Sequence, residues 1–189
     1  SEERSLYLSS FANVRVAYVD HADGSTSTFK EIDGKWVSIG NSGDFLFYKS
    51  AQAGVAGYWI FQSRKNYIDI YTDEGLLAAS YLPNGRGIFV KYNAKKQIKE
   101  IEATSGRKLV FLYDDDSGVF EGILSPDGRT VAYGRERFGA LKELSLGSVT
   151  FGDGSVRRFT YGEGSSGQGP LSLTGIYDEN GVRYATFEY

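Results

Sequence analysis

A degenerate repeat of about twenty residues is the feature that most limits the folds open to this chain. Each copy joins a turn containing Gly-Arg or Asn-Gly to a tyrosine that follows it. The clearest copies span residues 75–93, 96–114, 118–133 and 171–189, with turn glycines at Gly85, Gly106, Gly128 and Gly181. A repeat of this length predicts a fold built by stacking small units, because no single unit can bury its own apolar surface.

The composition and the local pattern both favour β-structure. The chain holds 24 glycines, 14 tyrosines and 12 phenylalanines but only 3 prolines, which suits short strands joined by tight turns. Apolar residues alternate with polar ones, as at Val14, Val16 and Tyr18. Pairs such as Asp33-Gly34 and Asp153-Gly154 separate these runs and are typical of hairpins. The sequence therefore predicts an all-β fold of antiparallel hairpins.

The regularity of the repeat divides the chain into two regions. Residues 67–189 carry the recognisable copies, whereas residues 1–66, which contain Trp36 and Trp59, are less regular. We interpret residues 1–66 as divergent strands of the same sheet. The Gly-rich stretch 162–169 is predicted to be a loop inserted in one repeat.

Charge and composition exclude several classes of partner and site. A formal net charge of −3 with interspersed signs argues against a nucleic-acid partner. The absence of cysteine removes disulfides and thiol chemistry, and no apolar run approaches the ~20 residues of a membrane span. The chain lacks an initiator methionine, so we interpret it as a piece of a longer protein. An open sheet fragment has unpaired edges, which predicts dimerisation by strand addition.

The recurring tyrosines are the main candidates for a shared role. Those selected as structural aromatic residues are Tyr92, Tyr113, Tyr133, Tyr161 and Tyr189. Their recurrence in register favours ladders of packed rings. The alternative is a flat carbohydrate-binding platform, to which Tyr81, Tyr177 and Tyr184 would also belong.

Other polar groups give weaker signals for chemistry. The run 114–116 contains three aspartates but lacks the spacing of a calcium loop, so it reads as a solvated turn. His21 is the only histidine, and a catalytic triad would depend on it alone; an exposed turn residue is the simpler interpretation. The letters of a GxGxxG motif at 162–167 precede a strand rather than a helix. We therefore expect no catalytic, metal-binding or cofactor-binding residues and no enzyme activity.

The repeat resembles a known motif. The run 106–114, with its Gly-Arg, alternating strand and Tyr-Asp, is similar to the YD repeat of the Rhs family, and 173–189 is another close match. The similarity covers residues 67–189 and is weaker upstream. Three copies lack the aspartate, since Tyr92, Tyr133 and Tyr161 are followed by Asn or Gly. The repeat is therefore more consistently aromatic than acidic.

This resemblance implies both a fold and a function. Rhs proteins are large bacterial proteins related to insecticidal toxin-complex C components and to teneurins, and their repeats form a curved β-sheet spiral. The spiral winds into a hollow shell around a C-terminal toxin domain, and a secretion system, often type VI, delivers it from the cell. The implied partners are the remainder of the shell, the enclosed toxin and a component of the secretion apparatus. The family's aspartyl cleavage motif is absent here, so the resemblance implies a non-catalytic, secreted or cell-surface shell segment. A cell-surface carbohydrate-binding or adhesion module is the alternative.

Overall fold

The computed structural model describes residues 4–11, 14–40, 42–138, 143–163 and 172–188. In this part of the chain every regular element is a β-strand, and no helix is present. The strands are β1 (Ser5–Phe11), β2 (Val14–Asp20), β3 (Thr26–Ile32), β4 (Lys35–Ile39), β5 (Phe45–Lys49), β6 (Tyr58–Gln62), β7 (Ile68–Thr72), β8 (Leu77–Tyr81), β9 (Gly87–Tyr92), β10 (Ile98–Ala103), β11 (Lys108–Tyr113), β12 (Phe120–Leu124), β13 (Thr130–Phe138), β14 (Glu143–Thr150), β15 (Val156–Tyr161), β16 (Leu173–Tyr177) and β17 (Arg183–Thr186). The prediction of an all-β antiparallel fold is confirmed.

The chain divides into two compact units. The first contains residues 1–92 and 101–107, and the second contains residues 93–100 and 108–189. In the first unit β1 to β9 pair in chain order, each strand antiparallel to the next. In the second unit β11 to β17 pair in the same way. The division drawn from the sequence at residue 66 follows the regularity of the repeat and stays a prediction.

The first unit has a closed apolar core. Its fully buried aromatic residues are Phe29, Phe61 and Tyr71, which come from β3, β6 and β7. Phe29 and Phe61 meet edge to face with ring centroids 6.2 Å apart, an arrangement that aromatic pairs favour. Leu6, Ala17, Val19, Leu46 and Trp59 complete the buried cluster. Alternate residues of consecutive strands thus face one interior, as period-two patterning requires.

Strand β1 closes this core by returning to a distant turn of the first unit. It pairs with β2 along its length. On its other side the Leu6 N–H donates to the Gly75 carbonyl at 3.0 Å, and Ser5 bridges Leu76. A Cβ at Gly75 would lie 1.8 Å from the Leu6 oxygen. Glycine at position 75 is therefore required for this approach as well as for its φ of 84°.

The second unit lacks such a core. Among its described residues, no apolar side chain falls in the buried class, and the buried positions are Thr174 and four glycines. Several of its aromatic residues are half-buried by their neighbours on the same sheet face, as Phe120 is by Phe111 and Tyr133. The described part of the second unit is thus a single layer of strands.

Candidate functional site

One turn geometry recurs through both units. In nine turns of the described chain, the first residue's N–H donates to the fifth residue's carbonyl, and the fourth residue's N–H donates to the first residue's carbonyl. The fourth residue has a positive φ in each of them. This is the three-residue hairpin loop in which a type I turn is followed by a left-handed residue. The nine fourth residues are Gly24, Asn66, Gly75, Gly85, Lys96, Gly106, Gly128, Gly154 and Gly181.

The four turn glycines selected from the sequence all occupy this left-handed position. Their φ values are 77° at Gly85, 82° at Gly106, 82° at Gly128 and 78° at Gly181. A Cβ added at any of them would meet no atom within 4 Å. Glycine is therefore favoured at these sites by its backbone conformation and not by crowding.

In several copies the residue before the turn glycine accepts hydrogen bonds that stabilise the turn. The side-chain oxygen of Asp153 accepts hydrogen bonds from the Ser155 N–H at 3.0 Å and the Ser155 hydroxyl at 2.7 Å. Asn84 accepts from the Arg86 N–H in the same way. The hydroxyl and N–H of Ser155 lower the pKa of Asp153, since they stabilise its ionised form. Asp-Gly and Asn-Gly thus fix the turn through both residues.

Two of the repeat tyrosines make the same type of hydrogen bond. The Tyr92 hydroxyl donates to the Leu77 carbonyl, and the Tyr113 hydroxyl donates to the Ile98 carbonyl, both at 2.9 Å. Each acceptor is the first residue of the strand that comes directly before the tyrosine's own strand: Leu77 begins β8 and Ile98 begins β10. Burial raises the pKa of Tyr113, so the phenol stays protonated and remains a donor.

The other selected tyrosines make different contacts. Tyr133 packs on Phe120 with ring centroids 5.3 Å apart, and Tyr161 packs on Phe138 at 4.8 Å. Tyr189 lies outside the described residues. Tyr184, a member of the alternative carbohydrate platform, is 56% exposed. Of the described tyrosines in that set, only Tyr184 belongs to the exposed class.

The most deeply buried charged group belongs to the first unit. Asp69 is fully buried and accepts a hydrogen bond from the Arg4 guanidinium at 3.0 Å. The same Arg4 nitrogen donates to the Ser80 hydroxyl at 2.8 Å. Burial, followed by the charge of Asp69, raises the pKa of Tyr71, so this phenol stays neutral. The pair links the segment before β1 to β7 and β8, which is a role in holding the fold together.

His21 belongs to a second series of hydrogen-bonded polar side chains in the first unit. Its Nε2 is 2.8 Å from the Ser27 hydroxyl, which donates to Asp44 at 3.1 Å. The ring also packs on Phe61 at 5.0 Å, so His21 is half-buried and not the exposed turn residue expected. In a catalytic triad the histidine stands between serine and aspartate. Here the serine stands between them, so the imidazole is not oriented by the carboxylate.

Two further acidic groups stabilise local structure in the second unit. Asp114 accepts from the Ser117 N–H and hydroxyl at 2.7 and 2.6 Å, in the hairpin turn that the sequence indicated. Glu163 accepts from Thr160, Thr174 and Arg183, and these bonds lower its pKa, with Thr160 as the largest cause. The rest of the predicted loop, residues 164–169, lies outside the described residues.

An open depression of about 540 Å³ lies beside the ends of β5 and β6. Tyr48, Lys49, Gln52, Val55 and Tyr58 contribute to its lining. The Tyr48 hydroxyl donates to Asp73 at 2.8 Å, and this bond raises the pKa of Tyr48. No lining residue is a carboxylic acid, so the paired acids of a glycosidase are not present in this depression.

Sequence reasoning missed two of the recurrent turns. Asn66 and Lys96 occupy the left-handed position with φ values of 61° and 60°, although neither is glycine. The turns recur about every ten residues between Asn66 and Gly106, the spacing of strands joined by short turns. That spacing was the signal that could have revealed them. The repeat of about twenty residues is therefore two strands and two turns.

The described residues include no group of three or more His, Asp or Glu side chains placed to hold a metal ion. They form no helix that is both long and apolar enough to cross a membrane. The chain matches no protein-family model and no curated protein, so the resemblance to the Rhs family rests on the repeat residues alone.

Proposed function

We propose that this chain is a non-catalytic wall segment of an Rhs-type β-sheet shell. The shell would enclose a C-terminal toxin domain and be secreted or displayed by a bacterium for delivery to competitor or host cells. The partners in this proposal are the rest of the shell, the enclosed toxin and a component of the secretion apparatus. In this proposal the segment forms part of a barrier. The residues most important for that role are those that hold the strands in register.

The observation that carries the proposal is the architecture of the second unit. Its described residues form one layer of antiparallel strands without a buried apolar side chain. A sheet with partly exposed apolar residues on it needs further protein to cover them. A wall built from many repeats meets that need, because each repeat is stabilised by its neighbours.

The polar clusters are also consistent with a structural role. Arg4 with Asp69 and Glu163 with Arg183 each join separate strands or segments. The Tyr92 and Tyr113 hydroxyls donate to backbone carbonyls. These groups are engaged in holding strands together, which supports a barrier more than a reaction.

The test is electron microscopy of the natural polypeptide that carries this sequence, purified from its own cells. The proposal expects a hollow particle in which these strands lie in the wall and density fills the interior. A solid particle, or one in which these strands project from the surface, would overturn it.

A glycan array with the purified chain tests the carbohydrate-binding alternative. The wall proposal expects no sugar to bind. Binding that is lost in Tyr184→Ala, with an unchanged circular dichroism spectrum, would replace the wall proposal by an adhesion module. Phe187→Ala, a neighbouring exposed aromatic residue without a hydroxyl, is the matched control.

A further inference from the structure

In the first unit, the side of β5 that faces away from the core carries exposed aromatic residues. Leu46 is buried in the core, so alternation directs its neighbours Phe45 and Phe47 to the opposite side of the sheet. They are 55% and 47% exposed. Their rings are nearly parallel, with centroids 6.3 Å apart. These two phenylalanines therefore lie outside the closed core.

The same side of the sheet is apolar in β4 and β3. Trp36 lies opposite Leu46 and packs against the core, so alternation directs Lys35 and Val37 to the other side. The residues of β3 that pair with these two lie on that side as well. We call this surface the basic apolar face, and its exposed apolar residues are Ile32, Val37, Ile39, Phe45 and Phe47.

Every charged side chain on this face of β3 to β6 is a lysine. The three are Lys30, Lys35 and Lys49, and all are exposed. Their ammonium groups form no hydrogen bond or ion pair with the described residues. The one carboxylate of these strands, Glu31, lies opposite Trp36 on the core side and is paired with Arg15. The face therefore combines apolar surface with positive charge that the described chain does not neutralise.

Pairing and charge both limit what can occupy this face. Strands β3, β4 and β5 each pair with a strand on both sides, so a peptide cannot bind here by strand addition. A second copy of the same face would bring lysines against lysines, and like charges across an interface cost free energy. The occupant must therefore be anionic and must also accept apolar side chains.

We propose that the basic apolar face binds an anionic lipid surface. The lysine ammonium groups contact the lipid headgroups, and Phe45 and Phe47 enter the boundary between headgroups and acyl chains. Lysine stems can lie along apolar side chains while their charged ends stay in the headgroup layer. Each phenylalanine exposes on the order of 100 Å², and contiguous apolar areas of a few hundred Å² typically mark interaction sites. The strands lie on the lipid surface and do not cross it.

Cosedimentation of the purified chain with lipid vesicles tests this proposal. One set of vesicles contains phosphatidylcholine with about 30% phosphatidylserine, and the other contains phosphatidylcholine alone. Binding to the anionic set should be at least tenfold tighter. It should weaken as the salt concentration rises from about 0.1 M to about 1 M, because the Debye length falls from about 10 Å to about 3 Å.

Two pairs of variants locate the contact. Lys35→Gln should weaken binding about fivefold, whereas Lys65→Gln, in the exposed turn after β6, should change it by less than about twofold. Phe47→Ala should weaken binding at least about fivefold. Its control is Leu82→Ala, because Leu82 is 57% exposed but lies beyond β8, outside the face. All four should keep the circular dichroism spectrum of the natural chain.

A fluorescent variant tests whether the face itself enters the lipid. Tryptophan emission moves to shorter wavelength when the indole leaves water. Phe47→Trp should therefore show a blue shift on addition of anionic vesicles. The natural chain, in which Trp59 is already buried, should show a smaller shift.

Three results would overturn the proposal. The first is a chain that does not bind the anionic vesicles. The second is binding that Lys35→Gln and Phe47→Ala leave unchanged, because the contact then lies elsewhere. The third is self-association without lipid that Phe47→Ala abolishes, because the face is then occupied by a second copy. None of these results concerns a hollow particle, so this proposal and the wall proposal can fail separately.

Discussion

The smallest recurring feature of this fold is a turn residue with a left-handed backbone conformation. It recurs in nine described turns and is glycine in seven of them. Non-glycine residues in this conformation bring their Cβ close to the following carbonyl, which costs about 1–2 kcal/mol. The turn glycines are therefore worth more to stability than their exposure suggests.

Replacing Gly106 by valine should lower the free energy of unfolding by about 1–2 kcal/mol. The reason is conformational strain alone, since a Cβ there meets no atom within 4 Å. Urea unfolding followed by circular dichroism measures the loss. Ser105→Val, at the preceding exposed turn position, is the matched control and should change stability by less than about 0.5 kcal/mol. Equal effects of the two substitutions would contradict the argument.

Sequence reasoning succeeds for these glycines because a glycine that follows Asp, Asn, Ser or Glu between two alternating runs carries its turn preference locally. It fails at Lys96 because spacing and strand pairing, not residue type, impose the positive φ there, and it fails at Asn66 because this turn carries no glycine, although asparagine tolerates the conformation. The burial of Asp69 is a second feature that the local sequence cannot predict. Alternation places it on the face of Tyr71, but its burial depends on Arg4, which is 65 residues away.

The turn aspartates make stability depend on pH. The pKa of Asp153 is lowered from its ordinary value of 3.8 by its hydrogen bonds to Ser155. The ionised carboxylate therefore stabilises the fold above a pH of about 3.8, and this stabilisation is lost as the pH falls through the lower folded value. Asp153→Asn keeps an acceptor oxygen but cannot ionise. It should be less stable than the natural chain near pH 7, and the difference should vanish near pH 2.

Urea midpoints across this pH range measure the difference between the two chains. Ser155→Ala is the companion variant, because it removes the hydroxyl that donates at 2.7 Å. Nuclear magnetic resonance titration should then show the Asp153 pKa moving back toward its ordinary value. A stability difference that stays constant down to about pH 2 would show that ionisation is not involved.

At the scale of elements, the hydroxyls of Tyr92 and Tyr113 give two of the repeats a reason to carry tyrosine instead of phenylalanine. Tyr113 on β11 donates to the Ile98 carbonyl at the start of β10. Tyr113→Phe should lower the free energy of unfolding by about 1 kcal/mol, because a partly buried carbonyl loses its donor. Hydrogen exchange of the second unit's amides measures this loss.

Tyr133→Phe is the control for this prediction. Tyr133 packs on Phe120, and its hydroxyl makes no hydrogen bond with the described part of the chain. Its substitution should change stability by less than about 0.5 kcal/mol. If the two substitutions have the same effect, the bond to Ile98 does not stabilise the hairpin. The sequence predicts packed rings from their spacing, but it cannot show which hydroxyls reach a carbonyl, since this depends on local strand register.

At the scale of the whole molecule, the two units differ in what stabilises them. The first unit buries Phe29, Phe61 and Tyr71 completely, whereas the described residues of the second unit bury no apolar side chain. Alternation in the sequence predicts one buried face for every strand, so it could not have revealed this difference. Burial of apolar surface is the main source of folding free energy, and we therefore expect the second unit to unfold first.

Unfolding in urea should consequently occur in two steps. Both tryptophans of the chain, Trp36 and Trp59, belong to the first unit, so their fluorescence reports that unit alone, while circular dichroism reports both. The fluorescence midpoint should lie at a higher urea concentration than the first step in circular dichroism. Arg4→Ala should lower the fluorescence midpoint selectively, because it leaves Asp69 buried without its partner, at a cost of about 3 kcal/mol. Coincident transitions by both probes would mean that the single-layer sheet is as stable as the closed core, and the contrast in burial would then not control stability.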